Sequence, residues 1–195
     1  MASRRHGWDD GAAVDLWEQA DEDKLAELIL YVAEQLMDDP AGGATKVNKL
    51  TWYAETSHVR AHGVPITGGP YRKLPNGPAP TYLFQIRRRL IENGDAELRD
   101  DEYFGYRLNR LVPLRGADTS LFSEKELHTI DQVIKSLWRM TATDLSERSH
   151  RERAYILASD DEEIPLYTAF LSDERSVSKA AIARAEELAA ELGID

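Results

Sequence analysis

His58 and His62 stand one helical turn apart, and side chains at i and i+4 on a helix can chelate one metal ion. A zinc-hydrolase helix would carry Glu directly after the first histidine; Val59 stands there, and no third ligand follows. The pair reads better as structure, with His58 on an apolar face and His62 near the helix end, where partial positive charge suits the dipole. Ser149-His150 sets a hydroxyl beside an imidazole, but neighbours along a helix point apart, so they form no nucleophile–base pair. His150 is expected instead to anchor its helix through a side-chain hydrogen bond. Asp160-Asp161-Glu162-Glu163 lacks the alternating ligands and the glycine of a calcium loop, which predicts a solvated acidic turn. Gly68-Gly69-Pro70 and Asn76-Gly77-Pro78 lack the lysine and the helix start of a phosphate cradle. No cysteine is present, which removes disulfides, thiolate zinc sites and a thiol nucleophile. The sequence thus predicts no catalytic residue, no cofactor and no metal.

The chain has 195 residues, enough for one domain with a substantial core. Its net charge of −11 argues against a broad nucleic-acid footprint, which needs a basic face. The charge is uneven. Residues 1–43 carry 3 basic and 11 acidic side chains, residues 44–115 carry 12 and 7, and residues 116–195 carry 9 and 17. A basic middle between acidic flanks suits either an acidic partner or pairing with the chain's own flanks. No apolar run approaches the ~20 residues that cross a bilayer, and no signal peptide is visible, so a cytoplasmic chain without a membrane partner is expected.

Several elements must position these residues. Leu25, Leu28, Ile29, Val32 and Leu36 predict a helix over 21–37, and Val47, Leu50, Ala54 and His58 predict another over 45–62, with Thr45 as its N-cap and Gly63 as its stop. Eight Pro and Gly residues between Pro65 and Pro80 predict an exposed loop. A third helix is expected from about 80 to 94, and a strand or two over 102–114. Ser123 and Glu126 form a capping box, with Phe122 and Leu127 as its staple, at the start of a long helix. A short helix over 143–154 and an extended stretch over 164–171 follow. The fold class is mainly α (α+β), a single helical domain with a small β element. Residues 1–20 are expected to form a mobile arm, 21–175 the domain, and 176–195 a C-terminal helix packed on it or extending it.

Lys46-Val47-Asn48-Lys49-Leu50-Thr51-Trp52-Tyr53-Ala54 precedes Gly63-Val64-Pro65-Ile66-Thr67-Gly68 and then Leu74-Pro75-Asn76-Gly77-Pro78-Ala79-Pro80. Downstream come Phe122-Ser123-x-x-Glu126, Leu145-Ser146-x-x-Ser149-His150 with Tyr155 five residues on, and Ile164-Pro165-Leu166-Tyr167. In order and spacing these resemble the Panacea antitoxin domain, the SocA-like family, over roughly 25–171. Trp52 replaces the family's usual tyrosine, Asn76 an aromatic, and Tyr155 a tryptophan. The resemblance implies that Lys46, Lys49, Leu50, Tyr53, Ala54, Gly63, Pro65, Gly68, Pro75, Gly77, Pro78 and His150 are mostly structural.

The resemblance further implies an antitoxin of a toxin–antitoxin pair, silencing a cognate protein toxin by direct binding and not by catalysis. Family members also include an adaptor that delivers a toxin to a protease, which leaves a protease as a second partner. Self-association stays open, and repression of its own operon finds no helix-turn-helix pattern here. Tyr71, Arg72 and Arg87, on or beside the Gly/Pro loop in the basic middle, are the candidate partner-binding anchors, with a core role equally open to Tyr71.

Overall fold

The computed structural model describes Trp17 and residues 19–171. The expected C-terminal helix over 176–195 and nearly all of the expected N-terminal arm lie outside the described residues. At the arm's end, Ala20 bridges Gly68, and Trp17 lies 6.5 Å from the Tyr167 ring.

Helix α1 (Glu22–Gln35) starts where Asp21 accepts from the Lys24 amide at 3.0 Å, and it buries Leu25, Leu28, Ile29 and Val32. Helix α2 (Ala44–His62) runs through the centre of the core and ends on Gly63, whose left-handed backbone favours glycine there. Its N-cap is Gly43, which makes no side-chain cap bond, and not Thr45, which lies inside the first turn. Strand β1 (Tyr71–Arg72) pairs antiparallel with β2 (Ala79–Pro80) and, on its other side, with β5 (Glu163–Ile164). Helix α3 (Leu83–Glu92) buries Ile86 and Leu90.

A hairpin follows, β3 (Ala96–Tyr103) and β4 (Tyr106–Pro113), closed by the two residues Phe104 and Gly105 at φ 49° and 80°. Positive φ at both positions gives the mirror-type turn that matches strand twist. The pairing starts at Ala96, six residues before the expected strand, because Leu98 and Leu111 face each other across the ladder and extend it.

Helix α4 (Glu124–Leu137) begins with the predicted capping box, complete in both directions, over the buried staple residue Phe122. The single short helix expected over 143–154 is two, α5 (Ala142–His150) and α6 (Arg153–Leu157). They break at Glu152, whose backbone is extended and whose carboxylate turns inward to the Trp52 indole. The stretch expected to be extended over 164–171 is extended only at β5. From Leu166 to Phe170 it coils into a 3-10 turn that buries Leu166 and Ala169. The chain is thus an α+β domain in which helices enclose α2 and two small antiparallel sheets edge the core.

Candidate functional site

Three charged residues of α2, Lys46, Lys49 and Glu55, are buried. Lys46 and Lys49 are 0% and 1% exposed. The Lys46 ammonium donates to Asp39 at 2.5 Å and to the Trp138 carbonyl at 2.7 Å, so its charge is both paired and hydrogen-bonded. Lys49 donates to the Pro78 carbonyl at 2.8 Å. Burial pulls its amine down to about 7, while the Glu152 carboxylate resists that fall. Trp52 donates to Glu152 at 2.8 Å, and the Tyr53 hydroxyl to the Leu145 carbonyl at 3.3 Å. Glu55 accepts from the amides of Ile66 and Thr67 at 2.7 and 2.8 Å and from the Thr67 hydroxyl. Burial pushes its carboxyl up to about 7 against the pull of those donors.

These bonds correct the expectation of an exposed Gly/Pro loop. Pro65, Gly68 and the run Gly77–Pro80 are buried because Glu55 and Lys49 satisfy the backbone there; Leu74, Pro75 and Asn76 alone among 74–80 face solvent. Gly77 sits at φ 95°, and a Cβ on it would lie 2.2 Å from the Ser149 hydroxyl and 2.8 Å from the Lys49 ammonium. Leu50 and Ala54 complete the inward face of α2. The Nε2 atom of His150 is buried without a hydrogen-bond partner, and the ring stacks on Tyr155 at 4.5 Å, so stacking replaces the bond expected there.

Tyr71 is 1% exposed and packs on the Trp52 ring at 5.0 Å, so of its two possible roles it fills the core. Arg72 is partly exposed and faces Asp161 and Glu163 at 3.4 and 3.7 Å, which engage its charge within the chain. Arg87 donates to Asn48 at 2.6 Å and to the Ala44 carbonyl at 2.8 Å, while its Nε is buried without a partner. Burial holds that guanidinium down to about 10. The three anchors are therefore not brought together: Tyr71 and Arg72 belong to the small sheet, and Arg87 to the floor of a groove.

That groove, of about 900 Å³, lies between the hairpin tip and the start of α2. One wall is Leu98, Tyr103, Phe104, Tyr106 and Leu108; the floor is Gly43, Ala44, Thr45 and Arg87; Thr141 to Thr143 at the start of α5 close the far side. Among the described residues its charged lining is Arg87 and Arg107. Arg110 fixes the wall from behind. Its guanidinium donates to the carbonyls of Leu36, Asp39, Pro40 and Gly42 at 3.0–3.3 Å and to Asp101 at 2.9 Å. A cation thus gathers the carbonyls of the turn that follows α1, two of which also accept a backbone amide, and ties them to β4. Gly42 must be small here, because a Cβ would meet the Leu36 carbonyl at 2.6 Å and Arg110 at 2.9 Å.

His58 is buried, with Nδ1 3.2 Å from the Thr129 hydroxyl, and its ring is 4.5 Å from that of His62. Burial first, then the neighbouring His62, lowers its pKa. Among the described residues no three His, Asp or Glu side chains gather as a metal-ligand set. Asp160 to Glu163 meet Arg72 and Lys73 instead. No helix of the described residues is long and apolar enough to cross a membrane.

Sequence reasoning missed Arg110, Glu55 and the hairpin tip. The first two look like surface charges in a linear reading. The tip was signalled by Tyr103-Phe104-Gly105-Tyr106, an aromatic cluster around a turn glycine. The family described as Antitoxin SocA-like, Panacea domain matches residues 47–155, more than half of the chain. No curated protein and no solved structure matches it.

Proposed function

Because this chain belongs to the SocA-like Panacea family of antitoxins, we propose that it neutralises a protein toxin by binding it directly in a stoichiometric complex. The family match carries the reading. The matched residues Lys49, Gly77 and Ser149 interlock inside the fold, which suits a scaffold that presents a surface. An exposed groove walled by aromatic side chains and floored by arginine has the side-chain chemistry enriched in protein interfaces. In this reading the domain is the recognition unit, and toxin and antitoxin meet in the cytoplasm. A stable complex of this kind buries about 1,200–2,000 Å² in total.

Coexpression with the toxin gene encoded beside it tests the proposal. Growth should be rescued, and the two proteins should copurify at fixed stoichiometry. Rescue at antitoxin levels far below those of the toxin, with no copurification, would instead point to catalysis or transcriptional control and defeat the binding reading.

A further inference from the structure

We propose that the groove beneath the β3–β4 tip receives an acidic segment of the toxin, a stretch with Asp or Glu next to an apolar side chain. The inference rests on the antitoxin reading and names the partner's chemistry at one surface.

The first observation is Phe104. It is not glycine, yet it adopts φ 49°, a backbone that costs a bulky residue stability, and it is 84% exposed. Its ring stands edge-to-face with that of Tyr103, the centroids 4.6 Å apart. Tyr106, on the other side of the turn, is 78% exposed. Two large aromatic rings held out at a tight turn add little to the core, and each offers large contact area with few rotatable bonds.

The second observation is charge. The chain carries −11 overall, yet among the described residues the charged lining of this groove is Arg87 and Arg107. Arg87 is pre-positioned by Asn48 and the Ala44 carbonyl, with its Nε unpartnered. The start of α2, which makes no side-chain cap bond, opens on the same floor and adds partial positive charge. A carboxylate from a partner meets both arginines here, with Glu102, opposite Arg107 in the ladder, as the neighbouring acid it displaces, while Leu98, Tyr106 and Leu108 take the apolar neighbour. Arg110 keeps the wall in place before the partner arrives, which limits the ordering cost of binding.

The test uses the full chain and the protein product of the adjacent toxin gene. Tyr106→Ala and Arg107→Glu lie at exposed turn-proximal positions and should leave the melting temperature unchanged. Each should weaken the measured Kd at least tenfold, and Arg107→Glu should also flatten the salt dependence of association. Arg151→Glu, an exposed arginine outside the groove, serves as control and should bind within twofold of wild type. With p-benzoylphenylalanine in place of Phe104, irradiation should crosslink a toxin peptide that contains Asp or Glu. Crosslinks to residues 172–195 of the same chain or to a second copy, in the presence of toxin, would overturn the proposal, as would a captured toxin peptide without acidic residues. If wild type neither rescues growth nor binds, the antitoxin reading fails and this inference falls with it. If wild type does both and the groove variants bind equally well, only the groove assignment fails.

Discussion

Gly77→Ala should unfold this protein more readily than any surface substitution, and its cost can be assembled from local geometry. Alanine at φ 95° carries backbone strain of about 1–3 kcal/mol. Its Cβ would also stand 2.2 Å from the Ser149 hydroxyl and 2.8 Å from the Lys49 ammonium, so one neighbour must move. Ser149 is fixed within α5, where its hydroxyl donates to the Ser146 carbonyl at 2.8 Å. Lys49 is fixed within α2. The loop must therefore lift, which breaks the 2.8 Å bond from Lys49 to the Pro78 carbonyl and strands a buried donor, at about 1–3 kcal/mol. The total is about 2–6 kcal/mol. With a urea slope of roughly 2 kcal/mol/M, the unfolding midpoint should drop by about 1–3 M. Ser149→Ala removes the nearest atom, so in the Gly77→Ala background it should restore part of the loss, although by itself it destabilises. A double-mutant cycle on urea midpoints measures that coupling. An unchanged midpoint for Gly77→Ala, or strict additivity of the two substitutions, would refute the interlock.

Arg110→Ala should cost about 3–5 kcal/mol by chemical denaturation, since it removes the buried cation shared by Asp101 and the carbonyls of the turn after α1, and Arg110→Lys should recover less than half, because one ammonium cannot serve the same fan of acceptors. Leu50→Ala, at a fully buried site, should cost about 2–5 kcal/mol in the same measurement. The buried amine of Lys49, near 7 when folded and 10.5 when unfolded, contributes stability at high pH that is lost as pH falls through 7; wild type should therefore lose ground to Lys49→Met between pH 10.5 and 7. Glu55, near 7 when folded and 4.5 when unfolded, has the opposite sign, so wild type should lose ground to Glu55→Gln as pH rises from 4.5 to 7. Urea midpoints collected across pH check both, and curves parallel to wild type would contradict them.

The helices whose apolar residues recur at helical spacing were legible: α1 and α2 lie within two residues of their expected bounds, and α4 starts at the capping box of Ser123 and Glu126 as read. What was not legible depends on partners distant in sequence. Lys46 and Lys49 were expected to be structural through the family resemblance alone, and Glu55 was not singled out, because nothing local reveals that Trp138, Pro78 and Thr67 bring acceptors and donors to them. Arg99, Arg107 and Arg110 are indistinguishable as letters; only Arg110 lies where α1 ends, and only Arg107 lines the groove. The break at Glu152 was hidden for the same reason, since its cause is an indole a hundred positions away. The proposed anchors divided along this line: Arg87 reaches the groove floor, while Tyr71 completes the core.

The anchoring of the hairpin away from its tip has a consequence for how such a protein diversifies. Arg110 grips the turn after α1 from midway along the ladder, whereas Phe104 and Gly105 close its far end in water. Residues 102–107 touch the rest of the fold so little that their replacement resembles changing the bit on a drill: the chuck is elsewhere. A two-residue turn also sets the reach of the tip, so inserting residues there would lengthen the bit without disturbing what holds it. Exchange of this short cassette between related chains is thus a route by which one scaffold could acquire a different target while its folding machinery stays untouched.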